Sequence, residues 1–192
     1  FTAFQTALLA QTGAITWAGP ALGEDFGVEG TPDDIMEACF EDLVLDQGEG
    51  TGWRLPFERG LKSPESIANN DHSTPGSDQK TIHNAVLWGG NLSVLVSLLG
   101  TPYWPQIKGG VLFLEDVNEH PFRIERMLTQ LLHAGVLARQ KAIVLGQFTG
   151  IRLAPHDKGF KLPTVVAWLR SQLKVPVLTG LLARGIAAGY LR

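Results

Sequence analysis

The spacing of apolar positions in the second half of the chain predicts strands and helices in alternation. Three apolar runs have the length of buried strands, GGVLFLE, KAIVLGQF and VPVLTG. Between and before them, apolar side chains recur at helical spacing in NLSVLVSLLG, in LPTVVAWLRSQL and from Glu119 to about Ala134. Strands that alternate with helices at this spacing predict a parallel sheet covered by helices, which is the α/β class.

Local signals place the ends of these helices. Gly89-Gly90 predicts a tight turn, and Asn91 is the expected N-cap of the helix that follows it. Asn118 is the expected N-cap of the helix from Glu119, and Gly135 ends that helix. Its apolar face, which we expect to be buried, consists of Ile124, Leu128, Leu131 and Leu132.

The N-terminal part reads as a piece of another α/β unit. Residues 2–12 predict a helix that Gly13 ends, and AITWAG then predicts a short buried strand. Thr31 followed by Pro32 predicts the cap and first position of a second helix, which runs to about Leu45. Because the sequence opens inside a helix with no strand before it, we expect an N-terminal portion to be missing.

The middle of the chain divides it. From Gly48 to Gln79 the residues are mostly Gly, Pro, Ser, Asn and Asp with little periodicity, which is typical of a linker or a functional loop. We therefore predict an N-terminal part over residues 1–50, a linker over 51–77 and a C-terminal domain over 78–192.

Composition narrows the function classes. A net charge of -3 offers no basic surface for nucleic acid, and no apolar stretch is long enough to span a bilayer. The single cysteine, Cys39, excludes an internal disulfide and is expected to be a buried thiol. The five histidines show neither a pair at i, i+4 nor a cysteine at metal-binding spacing, so the sequence indicates no zinc site.

Two adjacent acids, Glu115 and Asp116, end the first of the predicted buried strands. Open α/β sheets bind their ligands at the carboxyl ends of the strands, but acids there also serve only to contact water or to cap the next helix. Neighbouring side chains on a strand point to opposite faces, so the two carboxylates do not converge on one substrate atom. At most one of them faces a site.

Long, ordered segments of the chain resemble a known family. GGNLSVLVSLLGTPYWP, VLFLEDVNEHPFRIERMLTQLLHAGVL and AIVLGQFTG are similar to the C-terminal region of the LD-carboxypeptidases, serine peptidases of the murein tetrapeptide carboxypeptidase family, which also includes the microcin C self-immunity enzymes. FTAFQTALLAQTGAITWAGPALGEDFG resembles the segment that follows that family's nucleophile. The resemblance implies the remnant of an amidotransferase-like N-terminal domain followed by an α/β carboxypeptidase domain.

The resemblance also implies a Ser-His-Glu triad and assigns one member of it. Residues 112–116, LFLED, match the family's L-x-L-E-D strand end, so Glu115 is the expected triad acid and Asp116 its structural neighbour. The nucleophilic serine is expected upstream of Phe1. The histidine is expected in a G-L-P-x-G-H segment, but from Gly180 the chain reads GLLARGI and no histidine follows His156. We therefore expect the chain as it stands to be inactive.

The implied activity is release of the terminal D-alanine from an L,D-linked murein tetrapeptide, in cytoplasmic peptidoglycan recycling. The implied partners are the murein peptide and a second subunit in a homodimer, with no metal or organic cofactor, no nucleic acid and no membrane. Two alternatives stay open. One is hydrolysis of a microcin-type peptidyl nucleotide, with Trp88 or Trp104 either stacked on the base or buried in the core; the other is a non-catalytic binding protein on the same scaffold.

Overall fold

The computed structural model describes residues 1–17, 19–45, 47, 82–180 and 190–191. Five strands form one sheet in the order β4-β3-β2-β1-β5. The strands are β1 (Ala85–Asn91), β2 (Val111–Val117), β3 (Ala142–Thr149), β4 (Val177–Thr179) and β5 (Tyr190–Leu191). The helices are α1 (Thr2–Thr12), α2 (Asp34–Val44), α3 (Leu92–Ser97), α4 (Pro121–His133) and α5 (Leu162–Gln172), with short helical turns at Leu22–Phe26, Leu137–Arg139 and Pro155–Asp157.

The sheet confirms the predicted α/β class. Strands β1 to β4 are parallel, and β5 pairs with β1 in the antiparallel direction. The three predicted strands appear as β2, β3 and β4, and the predicted helices appear as α1 to α5. Parallel strands align their carboxyl ends along one edge, so the ends of β1, β2 and β3 lie side by side there.

The strand β1 was not predicted, and the predicted Gly89-Gly90 turn is wrong. Both glycines lie inside β1, with φ angles of 121° and 136° that other residues rarely adopt. A Cβ on Gly89 would lie 2.0 Å from the carbonyl oxygen of Phe113 on β2. Glycine is a turn residue in most sequences, but here it allows β1 to approach β2 closely.

The predicted caps hold for one helix of three. The Asn91 side chain accepts a hydrogen bond from the Val94 backbone N–H, as an N-cap of α3 should. For α2 the cap is Asp33, not Thr31, since the Asp33 carboxylate accepts the Met36 N–H. For α4 it is His120, not Asn118. Asn118 instead takes a left-handed backbone conformation between β2 and α4, and this displaces the helix start by two residues.

The core lies between the sheet and the helices α3, α4 and α5. Ile124, Leu128 and Leu131 of α4 are fully buried and Leu132 is partly buried, which confirms the predicted apolar face. Trp88 and Trp104 also belong to this core and pack edge to face, with ring centroids 5.6 Å apart.

Two predictions for the N-terminal part are wrong. Residues 14–17 form no strand, and the side chains of Ile15 and Trp17 are about half exposed. An apolar run becomes a strand only where a neighbour completes the hydrogen-bond ladder, and no described strand pairs with these residues. Cys39, expected to be buried, lies on an exposed side of α2. The predicted linker 51–77 lies outside the described residues, so the domain boundaries stay predictions.

Among the residues described, none of the helices has both the length and the apolar character that crossing a bilayer requires.

We predict that Gly89→Ala lowers the free energy of unfolding by about 3 kcal/mol or more, because the added Cβ meets the β2 backbone at a strained φ angle. Gly100→Ala is the matched control: its φ is also positive, at 81°, but no atom lies within 4 Å of the added Cβ. Its cost should be about 1–2 kcal/mol, from backbone strain alone. Urea unfolding measures both, and equal losses would contradict the close approach of β1 to β2.

Candidate active site

The candidate site lies where β1 and β2 end side by side. The last residue of β1, Asn91, pairs in register with Glu115 of β2. Beyond Leu114 the register between β2 and β3 shifts, so that Leu114 pairs with Leu145 but Asp116 pairs with Phe148. This irregularity next to the two acids is typical of β-bulges, which re-aim side chains at sheet edges and near functional sites.

Glu115 is partly buried and carries a perturbed carboxyl group. Burial raises the pKa of Glu115 above its ordinary value of 4.5, the negative charge of Asp116 raises it further, and a hydrogen bond with the Asn91 side chain opposes the rise. An acid with this environment gains when a cation pairs with it, since the cation offsets the loss of water. The geometry therefore suits an acid that receives a positively charged group.

Asp116, unlike Glu115, is almost fully buried and has its hydrogen bonds satisfied by the protein. Its side chain is only 3% exposed and accepts three hydrogen bonds. The donors are the Asn91 side-chain amide at 2.9 Å, the Ser93 backbone N–H at 2.9 Å and the Val117 backbone N–H at 2.8 Å. These bonds occupy both carboxylate oxygens, which is typical of a structural residue. Glu115 is the more accessible of the two acids.

The first turn of α1 lies against the same edge. The Asn91 backbone N–H donates to the Thr2 hydroxyl at 3.1 Å. A Cβ on Gly90 would lie 2.7 Å from that hydroxyl oxygen, so the absence of a side chain at Gly90 leaves room for the helix. The N-terminus of α1 therefore meets the end of β1, although it is far away in the sequence.

A second polar cluster lies at the ends of β2 and β3. Asn118, His120, Gly150 and Arg152 line a pocket there. His120 Nδ1 accepts the Phe122 backbone N–H, so the ring proton lies on Nε2, 3.0 Å from Asp157. The Ala154 backbone N–H and the His120 contact lower the pKa of Asp157. This histidine thus caps α4 and holds a loop.

No histidine among the described residues forms a hydrogen bond or ion pair with Glu115; His120 and His156 contact Asp157 instead. The segment after Gly180 in which the resemblance places the triad histidine lies outside the described residues. No cluster of three or more metal-binding side chains occurs in the part of the chain that the structure describes.

Sequence reasoning found Glu115 and Asp116 but missed two partners. The side chain of Asn91 was predicted as a helix cap, although its amide also donates to Asp116, and Thr2 was not considered. The sequence signal that points to Asn91 is an N-cap asparagine directly after a Gly-Gly pair. Nothing in the sequence pairs Thr2 with Asn91, which is 89 positions away.

The fold is that of an α/β protein, with a cluster of polar side chains at the carboxyl end of its parallel sheet. The profile of the LD-carboxypeptidase C-terminal domain matches residues 84–183. The chain belongs to the LD-carboxypeptidase family, which confirms the resemblance and the fold class predicted from the sequence.

Named relatives agree with this assignment. A probable murein peptide carboxypeptidase of Bacillus subtilis is 30% identical over 165 residues, 86% of this chain and 46% of the relative. The microcin C7 self-immunity protein MccF of Escherichia coli is 30% identical over 196 residues, 93% of this chain and 54% of MccF. The chain thus spans about half the length of the curated relatives that it matches.

Solved structures show the same fold. The muramoyltetrapeptide carboxypeptidase of Oxalobacter formigenes superimposes with a TM-score of 0.74 and 32% identity, over 98% of this chain and 60% of that one. MccF in complex with glutamyl sulfamoyl guanosine gives a TM-score of 0.66 and 26% identity, over 94% of this chain and 56% of MccF.

We predict that the raised pKa of Glu115 makes the folded state bind this proton more tightly than the unfolded chain does. Glu115 therefore contributes stability that is complete below pH 4.5 and is lost as the pH rises through its folded pKa. The free energy of unfolding of the wild type minus that of Glu115→Gln should fall over this range. Urea unfolding at a series of pH values measures it.

Asp157→Asn is the control of opposite sign. The pKa of Asp157 is lowered, so its contribution is present above its ordinary value of 3.8 and is lost as the pH falls through the folded pKa. The same trend for both variants would contradict the environment described for Glu115.

Proposed function

We propose that this chain is part of a serine-type LD-carboxypeptidase in which Glu115 is the triad acid. One observation carries the proposal: Glu115 lies partly buried at the carboxyl edge of the sheet, with the Asn91 amide on one side and the start of α1 nearby. In α/β proteins of this kind the reacting groups gather at that edge. The family assignment adds the reaction class.

In the proposed mechanism Glu115 does not touch the scissile bond. Its carboxylate accepts the N–H of the triad histidine, which fixes the tautomer, and the other ring nitrogen takes the proton of the serine hydroxyl. The serine oxygen attacks the carbonyl carbon, D-alanine leaves with the proton from the histidine, and water then hydrolyses the acyl-enzyme. Acyl transfer of this kind needs a general base and an oxyanion hole, and no cofactor.

The electrostatics of the edge support this role. The pKa of Glu115 is raised because the charged form is partly desolvated and lies beside Asp116. An imidazolium that forms next to it during acyl transfer would lower that pKa again. The two acids together favour the protonated histidine, which is the state that the histidine reaches when it takes the serine proton.

We propose the terminal D-alanine of a murein tetrapeptide as the leaving group, with a homodimer in the cytoplasm as the working form. The similarity to proteins named murein peptide carboxypeptidase and muramoyltetrapeptide carboxypeptidase supports the substrate. We further propose residues 1–50 as part of the N-terminal domain, 51–77 as the linker and 78–192 as the C-terminal domain.

A second candidate is the hydrolysis of an aminoacyl nucleotide analogue. It is favoured by the match to MccF over 93% of this chain. Trp88 and Trp104 supply no base-stacking surface for such a substrate, because both rings are buried and Trp88 donates its indole N–H to Gln140 at 3.1 Å. The murein peptide is therefore the first candidate.

We predict that Glu115→Gln, made in the product of the full reading frame that contains this sequence, lowers kcat for D-alanine release by about 10⁴-fold, since an amide favours the wrong histidine tautomer. Glu119→Gln is the matched control, four residues further along the chain and paired with Arg123. Glu119 is mostly buried, but its partner Arg123 is half exposed, so the loss of this ion pair should leave kcat within about threefold. Equal losses in both variants would reject Glu115 as the triad acid.

We predict that the 192-residue chain alone releases no D-alanine from murein tetrapeptide, because neither the serine nor the histidine of the triad can be assigned in it. Detection of free D-alanine above the blank would overturn this prediction. The full product, assayed with murein tetrapeptide and with an aminoacyl sulfamoyl adenylate, separates the two substrate classes. Binding without turnover of either would favour the non-catalytic scaffold.

A further inference from the structure

The Asn91 side chain has only one orientation that satisfies its neighbours. Its oxygen accepts hydrogen bonds from the Val94 backbone N–H at 3.1 Å and the Ser93 hydroxyl at 2.8 Å. A backbone N–H can only donate, so the amide oxygen must face α3 and the amide nitrogen must face the acids. That nitrogen donates to Asp116 at 2.9 Å. Asn91 also pairs in register with Glu115 on the neighbouring strand, and its side chain lowers the pKa of that carboxyl. The orientation of the amide thus depends both on the donors of α3 and on the acids of β2.

Asp116 anchors this arrangement from the buried side. One of its oxygens accepts the Asn91 amide and the Val117 backbone N–H, and the other accepts the Ser93 backbone N–H. Its three donors belong to the end of β1, the first turn of α3 and β2 itself. Hydrogen bonds to a buried carboxylate are strong ones, so Asp116 ties these elements together at one point.

The same network reaches α1. The Asn91 backbone N–H donates to Thr2, and Gly90 leaves the space that the Thr2 hydroxyl occupies. A movement of Asn91 would therefore change its side-chain contact with Glu115 and its backbone contact with the start of α1 together.

We propose that Asp116 is a positioning residue that, through Asn91, sets the Glu115 carboxylate and the first turn of α1 relative to one another. The proposal rests on the proposed function of Glu115, but the hydrogen-bond arrangement itself can be tested without catalysis. Asp116 would not touch the substrate, since its oxygens are already occupied by protein donors.

Hydrogen exchange in the 192-residue chain tests the arrangement directly. In Asp116→Asn, an NH₂ group replaces one of the two carboxylate oxygens. This group can only donate, but every protein group that faces it is also a donor, so at least one of the three hydrogen bonds is lost. The amide orientation that keeps two of the three bonds loses the bond from Ser93, so we expect exchange of the Ser93 backbone N–H to rise about tenfold or more, the effect of losing a hydrogen bond to a charged group. Exchange of the Asn91 backbone N–H, which donates to Thr2, should rise with it because the residue is held less firmly. Exchange at Ile143, in the neighbouring strand β3, should change much less. An equal rise at all three residues, or no rise at Ser93 and Asn91, would overturn the proposal.

Glu119→Gln is the matched control, a carboxylate near the same edge with no bond to Asn91, and it should leave both exchange rates unchanged. Asn91→Ala covers the case in which Asp116→Asn fails to fold. It removes the amide between the acids and leaves two of the Asp116 donors in place. The pKa of Glu115, followed by NMR, should then rise above that of the wild type, and an unchanged pKa would overturn the proposal.

Kinetics of the full product separate this proposal from the function itself. If Asp116 positions Glu115, Asp116→Asn should lower kcat at least about tenfold with KM within about threefold, because the groups that react are misplaced and not removed. An unchanged kcat in an active enzyme would reject the positioning role. If the wild type shows no carboxypeptidase activity, the proposed function fails, while the exchange and pKa measurements still decide whether the network exists.

Discussion

A buried carboxylate needs hydrogen-bond donors, and this requirement of Asp116 determines the structure at the carboxyl edge of the sheet. Asp116 ends a strand inside the protein, and an unpaired carboxylate there would cost several kcal/mol. The protein satisfies it with donors from β1, β2 and α3. Because these donors come from different elements, meeting the demand of one side chain also fixes how the ends of β1 and β2 meet the start of α3.

Close packing of the backbone makes that convergence feasible. Gly89 and Gly90 lie in β1 with positive φ angles, where side chains would collide with β2 and with Thr2. The two glycines let the end of β1 approach β2 and the start of α1 closely, so that Asn91 forms hydrogen bonds with both Thr2 and Asp116. Glu115, pushed toward its neutral form by burial and by Asp116, becomes the group on this edge that gains most from a cationic partner.

Family membership and local geometry support the proposed chemistry from different directions. The family assignment rests on residues 84–183 and says nothing about which side chain does what. The geometry distinguishes two neighbouring acids: Asp116 is saturated by protein donors, whereas Glu115 keeps capacity for a partner. This chain spans about half the length of its curated relatives, so the two lines of support concern that half.

The sequence by itself determined the α/β class, three of the strands, the apolar face of α4 and the position of Glu115 at a strand end, because these follow from periodicity within short windows. It could not determine β1, because the glycines of that strand are typical of turns. Nor could it determine the caps of α2 and α4, or that residues 14–17 form no strand, since these residues lack a described strand partner. Only the tertiary structure brought Thr2, Asn91 and Asp116 together. Their hydrogen bonds join residues 25 and 89 positions apart, and no local pattern records such a distance.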